Sequence, residues 1–233
     1  MDRVTRKGLK RDKFALEVQH GLEYVTGHRR VMLRWGAIGA AVVLLVVGFF
    51  FYRRHEAGVR QQAVEVAMRI ETANIGPPAN EYVIAYPTEA ERNKAALKAW
   101  TDLATKYSGT NEGIVAEYFL GGHAAEDGNI QAGQKHFQTV LDSGQMEYGS
   151  LAKLALAQLY GTQGKVAQGE KLIQSVIDHP TVLVSKEAAI IALAHLIAPT
   201  DPGRARKLLE PLRGSERAQV SQQVLRALSD LPK

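Results

Sequence analysis

Trp35 to Tyr52 is a run of 18 residues without a charge, WGAIGAAVVLLVVGFFFY, bounded by Arg34 on one side and by Arg53 and Arg54 on the other. As an α-helix rising about 1.5 Å per residue it spans roughly 27 Å, close to one hydrocarbon core. Trp35 and Tyr52 stand at its ends, where aromatic rings favour the membrane interface, and Arg29, Arg30, Arg34, Arg53 and Arg54 flank it as anchors. A buried helix of a soluble core rarely carries arginines at both ends, so the run predicts a membrane span dividing the chain. A cleavable signal peptide would have a shorter apolar region followed by a small-residue cleavage site. This run instead closes Phe49-Phe50-Phe51-Tyr52-Arg53-Arg54, and the span is expected to stay uncut.

Charge is distributed around that division. Residues 1–34 hold nine Lys or Arg against four Asp or Glu, so they carry the whole net charge of +5. The rest of the chain is balanced, and its composition asks for no basic patch, so no nucleic-acid partner is expected. The positive-inside rule weighs a short tail fully and a long domain hardly at all, which predicts a cytoplasmic N-terminus with the larger segment outside. Arg53, Arg54, Arg60 and Arg69, close behind the span, oppose that orientation. The absence of cysteine excludes disulfides, thiolate metal sites, a cysteine nucleophile and a lipidated cysteine.

Within the tail Phe14, Val18, Leu22 and Val25 fall on one helical face. Two readings stay open: a solvated basic tail that holds topology, or a helix on the inner leaflet or against a membrane partner. Gly36 and Ala40, with Ala37 and Ala41, make small-xxx-small spacings suited to packing against another span. After the span, Val59, Ala63, Val66, Ala67 and Ile70 keep helical spacing, and the helix is expected to run to about Asn74. Residues 76–88 hold three prolines and the β-prone run Tyr82-Val83-Ile84 without an obvious partner, and read as an ordered loop.

Beyond the loop the chain repeats itself. A shift of 36 superposes Leu120 on Leu156, Gly121 on Ala157, Gly128 on Gly164, Gly133 on Gly169, Phe137 on Ile173 and Val140 on Val176. A further 36 carries Gly169, Ile173 and Val176 onto Ala205, Leu209 and Leu212, and a backward shift of 37 carries Gly133, Phe137 and Val140 onto Ala96, Trp100 and Leu103. Small residues at Gly121 and Ala157 allow a helix to approach its hairpin partner, Gly128 and Gly164 turn the chain, and Gly133 or Gly169 lets the second helix nest. Large apolar residues four and seven positions later fill the space between. Pro180 and Pro202 serve as helix stops or starts.

These residues resemble the tetratricopeptide repeat, a helix-turn-helix unit of about 34 residues. The resemblance covers residues 89–214, with a closing helix from about Ser215 to Leu231 as the cap such stacks require. It departs where Ala124 stands opposite the aromatic Tyr160. The expected fold is therefore all-α: a basic tail (1–34), a transmembrane helix (35–52), a helical extension and Pro-rich loop (53–88), and a tetratricopeptide-repeat α-solenoid with its capping helix (89–233).

No set of residues for chemistry accompanies this fold. His20, His28, His55, His123, His136, His179 and His195 show no paired ligand spacing and read as surface or packing residues. There is no phosphate-cradling glycine loop and no nucleophile elbow, and Glu126-Asp127, the adjacent carboxylates of the repeats, end a helix before Gly128. No enzyme activity, cofactor or metal is expected. The resemblance implies that a peptide binds the concave face made by the first helix of each pair. Carried over, the groove positions are Val115, Tyr118, Gly122, Ala125 and Glu126 in one repeat and Leu151, Leu154, Gln158, Gly161 and Thr162 in the next. They are mostly small or apolar and lack the Lys, Asn and Arg clamp of the chaperone-tail binders, which points to apolar segments or another protein's helix. The alternative for each residue is packing against the neighbouring repeat.

Taken together, the basic tail with Asp12-Lys13-Phe14-Ala15 and Glu23-Tyr24-Val25, the uncut span, the continuing helix and the repeats resemble the YfgM-like ancillary subunits of the SecYEG translocon. That resemblance implies a single-pass protein of the bacterial inner membrane, its repeats in the periplasm beside the Sec translocon and a membrane-anchored chaperone, assisting exported proteins. A structural scaffold for division or secretion machinery, and an organelle import receptor, are the other readings.

Overall fold

Nothing between Arg34 and Glu71 breaks a helix, and in the computed structural model, which describes residues 29–78, 80 and 83–231, α1 runs from Arg29 to Glu71 without interruption. The expected tail face of Phe14, Val18, Leu22 and Val25 lies outside the described residues, as do His20, His28 and Tyr82. The chain divides into two compact units, Met1–Val59 and Arg60–Lys233. In the first, α1 is long and apolar enough to cross a membrane. Trp35, Leu44, Leu45, Phe50 and Tyr52 are all exposed, an arrangement that water penalises and a bilayer does not. Arg34 and Arg53 are exposed beside them, with the Arg53 guanidinium 5.9 Å from the centre of the Phe49 ring.

The second unit starts earlier than the sequence boundary at residue 89. The last turns of α1 join it: Ala67 is fully buried in one cluster with Ala96, Trp100 and Leu120, and Ala63, Val64 and Ile70 pack against that cluster. The helix stops at Glu71, a little before the expected Asn74, because the backbone leaves it to pair elsewhere. Asn74–Ile75 (β1) and Ala85–Tyr86 (β2) form a two-residue parallel ribbon, and Gly76, at φ 114°, turns the chain while its N–H donates to the Tyr86 carbonyl at 2.9 Å. The ordered loop expected here is thus closed at its base, and the pairing lies one step beyond the β-prone Tyr82-Val83-Ile84 run.

Helices α2 (Glu89–Lys106), α3 (Asn111–Glu126), α4 (Ile130–Asp142), α5 (Met146–Thr162), α6 (Val166–Asp178), α7 (Lys186–Ile197), α8 (Pro202–Leu209) and α9 (Ala218–Asp230) follow. Their starts obey capping chemistry: Thr88, Thr110, Asn129, Ser185 and Asp201 each accept a backbone N–H from the first turn they precede. Each of α2 to α8 packs on its successor, while α3 touches α5 and α5 touches α7, so the stack is the expected all-α solenoid. Gly128 and Gly164, at φ 77° and 71°, turn the chain inside two of the pairs. The small residues do the spacing predicted of them. A side chain at Gly133 would meet the Gly121 carbonyl at 3.1 Å, and one at Gly169 the Ala157 carbonyl at 2.8 Å. Trp100, Phe137, Ile173 and Leu209, four residues after each small position, are all buried. Leu212 is only half-buried, since α8 tightens into a 3-10 turn, Glu210–Leu212, around Pro211. Helix α9 lays Val224 and Ala227, with Leu231 just beyond it, on the last pair.

Candidate functional site

Helix α3 is apolar nearly all round, because it packs on α2, α4 and α5 at once. One strip of it remains open. Tyr118, Gly122, Ala125 and Glu126 recur along this strip and face Ala155, Gln158 and Leu159 of α5 across a concavity of about 340 Å³. Gly122 contributes to the opening, since a Cβ there would meet no heavy atom within 4 Å. The aromatic wall is interlocked: the Tyr118 ring lies 5.5 Å from Phe119, 5.8 Å from Phe137 and 5.6 Å from Tyr148, and Phe119 in turn stacks on Trp100 at 4.3 Å. Burial, and secondarily Tyr148, raises the Tyr118 phenol above its ordinary pKa, so Tyr118 is neutral at any working pH.

At one edge of the concavity sits a polar cluster. The Trp100 indole donates to Glu71 Oε2 at 2.8 Å, and His123 Nε2 lies 2.9 Å from the same oxygen, so that nitrogen carries the proton and donates. The hydrogen bond from His123 holds the Glu71 carboxyl below its usual range, helped by Trp100. The same bond raises His123, against the opposing effect of burial. Of the two readings open to it, surface or packing, His123 is buried, but it is also charge-coupled to a residue at the end of α1. His136 makes a second histidine–carboxylate contact, its Nδ1 2.6 Å from Glu117 Oε2. Among the described residues no group of three or more His, Asp or Glu side chains is arranged to hold a metal ion.

Of the groove positions carried over from the sequence, the structure brings together Tyr118, Gly122, Ala125, Glu126 and Gln158. The others go elsewhere. Val115 is buried in the cluster around Trp100 and is core. Leu151 and Leu154 are half-buried against the C-terminal core, on the face of α5 that meets the following repeat. Gly161 abuts Leu196, and Thr162, exposed at the end of α5, donates its hydroxyl to the Leu159 carbonyl at 2.8 Å. Phe137 was legible as a large apolar residue of the repeat but not as the wall of a cavity, and no repeat position marked Phe119. Glu71 lies before the Pro-rich loop, 52 residues from His123, and no spacing rule couples them.

The profile of the tetratricopeptide repeat-like domain matches residues 31–187, which takes in α1 as well as the repeats up to the start of α7. No curated protein and no solved structure matches the chain.

Proposed function

Because the chain belongs to the tetratricopeptide repeat-like domain family, we propose that it is a membrane-anchored protein-interaction module. In the finer reading it is an ancillary translocon subunit, its N-terminus cytoplasmic and its repeats in the periplasm, that assists exported polypeptides together with a membrane-anchored chaperone. Solenoids of this kind are generally platforms for protein partners. The observation that carries the proposal is the open, aromatic-walled concavity between α3 and α5, in a chain that also holds a helix fit to span a bilayer. Covalent linkage to the span confines weak binding sites near the membrane, where effective concentrations reach about the millimolar range for short links. Individual contacts then need little affinity, and clients are released readily.

Photo-crosslinkers at Tyr118 and Gln158, in living cells, combined with purification in mild detergent, test the reading. Translocon subunits and newly exported chains are the expected products. Wall-synthesis, division or secretion-machine components would select the scaffold reading instead. Crosslinks confined to the chain itself, with partner recovery unchanged by Tyr118→Ala and Gln158→Ala, would show that the concavity is not the contact.

A further inference from the structure

The concavity has a sign of charge as well as a shape. Among the described residues that line it none is Lys or Arg, while Glu71 and Glu126 both do. Helix α3 carries Glu112, Glu117 and Glu126 and neither Lys nor Arg. Two of these are spoken for: Arg60 Nε binds Glu112 at 3.1 Å, and His136 binds Glu117. Glu71 is engaged by Trp100 and His123. Glu126 has no ion pair among the described residues; it is exposed at the end of α3, next to the equally exposed Asp127, and one turn beyond the open strip of Gly122 and Tyr118.

Building on the peptide-groove reading above, we infer that the concavity takes a lysine or arginine side chain of a bound polypeptide, its aliphatic stem against Tyr118 and Phe119 and its charge on Glu126. An aromatic face attracts a cation within about 6 Å of the ring, and long basic side chains cover apolar surface while their heads stay wet. A carboxylate at the mouth of a site lined by no Lys or Arg, whose one histidine, His123, is already engaged by Glu71, supplies the complementary charge, and rejects an acidic residue in the same place. The class of client this selects is a basic, partly apolar segment, not an uninterrupted apolar helix.

Three fluorescein-labelled peptides decide it, alike except for a central lysine, norleucine or glutamate between leucine and phenylalanine, titrated by fluorescence anisotropy against the full chain in detergent micelles. The lysine peptide is expected to bind about fivefold tighter than the norleucine peptide, the scale of one exposed ion pair plus one cation–π contact, and the glutamate peptide weakest. Glu126→Gln, at an exposed helix end, should cut the lysine preference to about twofold or less, what the aromatic contact alone leaves, while leaving norleucine binding unchanged. Added salt should do the same. Equal binding of lysine and norleucine peptides to the unaltered chain, or a lysine preference undiminished by Glu126→Gln, would overturn the inference that the charge sits on Glu126. If none of the three binds, the peptide-groove reading falls and this inference with it.

Discussion

Gly149, Gly133 and Gly169 are each the fourth residue of their helix, in α5, α4 and α6. Replacing any of them by alanine gains about the same intrinsic helix preference, roughly 0.5–1 kcal/mol. What differs is the space. A Cβ at Gly149 meets nothing within 4 Å, one at Gly133 meets the Gly121 carbonyl at 3.1 Å, and one at Gly169 meets the Ala157 carbonyl at 2.8 Å and Leu196 Cδ2 at 2.9 Å. Leu196 is buried with little room to turn, and the carbonyl belongs to the backbone of α5, so Gly169→Ala forces α6 away from α5. Overpacking of this kind costs about 1–3 kcal/mol. The net expectation is a gain of about 0.5–1 kcal/mol for Gly149→Ala and a loss of about 1–2 kcal/mol for Gly169→Ala, with Gly133→Ala between. At about 2–4 °C per kcal/mol for a unit of this size, Gly169→Ala should lower Tm by roughly 2–8 °C. Far-UV circular dichroism of the Arg60–Lys233 unit during heating and urea titration measures all three. If Gly169→Ala proves as stable as Gly149→Ala, close helix approach is not what the small residue provides, and the physical account of the repeat is wrong.

The Glu71–His123 pair sets a pH window. His123 is raised from its ordinary 6.5, so its contribution is complete below 6.5 and lost as pH climbs through its folded value; Glu71 is lowered from 4.5, so its contribution is present above 4.5 and lost as pH falls through its folded value. Urea titrations of wild type and His123→Gln should therefore differ most between these limits, by about 1 kcal/mol for a half-buried charged hydrogen bond, and identical pH profiles would refute the coupling. A fragment beginning at residue 89 lacks Ala67, Ile70 and Glu71, and should be less stable than one beginning at Arg60 by about 3 kcal/mol, the scale of two or three lost aliphatic contacts. Equal melting of the two fragments would show that the end of α1 is not part of the core. A reporter active only outside the cytoplasm should be active when fused after Lys233; activity from an N-terminal fusion instead would reverse the proposed topology.

Local order was legible because its causes are local. An uncharged run of sufficient length between arginines reads as a bilayer-crossing helix wherever it occurs, and a proline such as Pro202, at the start of α8, acts on its own turn. The repeat was legible too, since nesting one helix pair on the next demands a small residue and then large ones at a fixed period, and Gly121, Gly133 and Phe137 recur in that order. The period ends where the chain departs from it. A helix that precedes the Pro-rich loop returns as part of the first core, with Ala67 beside Trp100, because β1 and β2 close the loop at its base; the backward shift of 37 that carries α4 onto α2 carries α3 onto residues 74–89, the loop, and not onto α1. The open strip was likewise decided by packing. Helices α3 and α5 are apolar on several faces, so spacing alone treats Val115, Tyr118, Leu151 and Gln158 as equals. Only the positions of α2 and of the following repeat bury Val115 and half-bury Leu151, leaving Tyr118 and Gln158 to face one another. The charge of the site follows from the same cause: Glu71, His123 and Trp100 meet through tertiary contact, and a hydrogen bond between residues so distant in sequence exists only once the helices that carry them have packed.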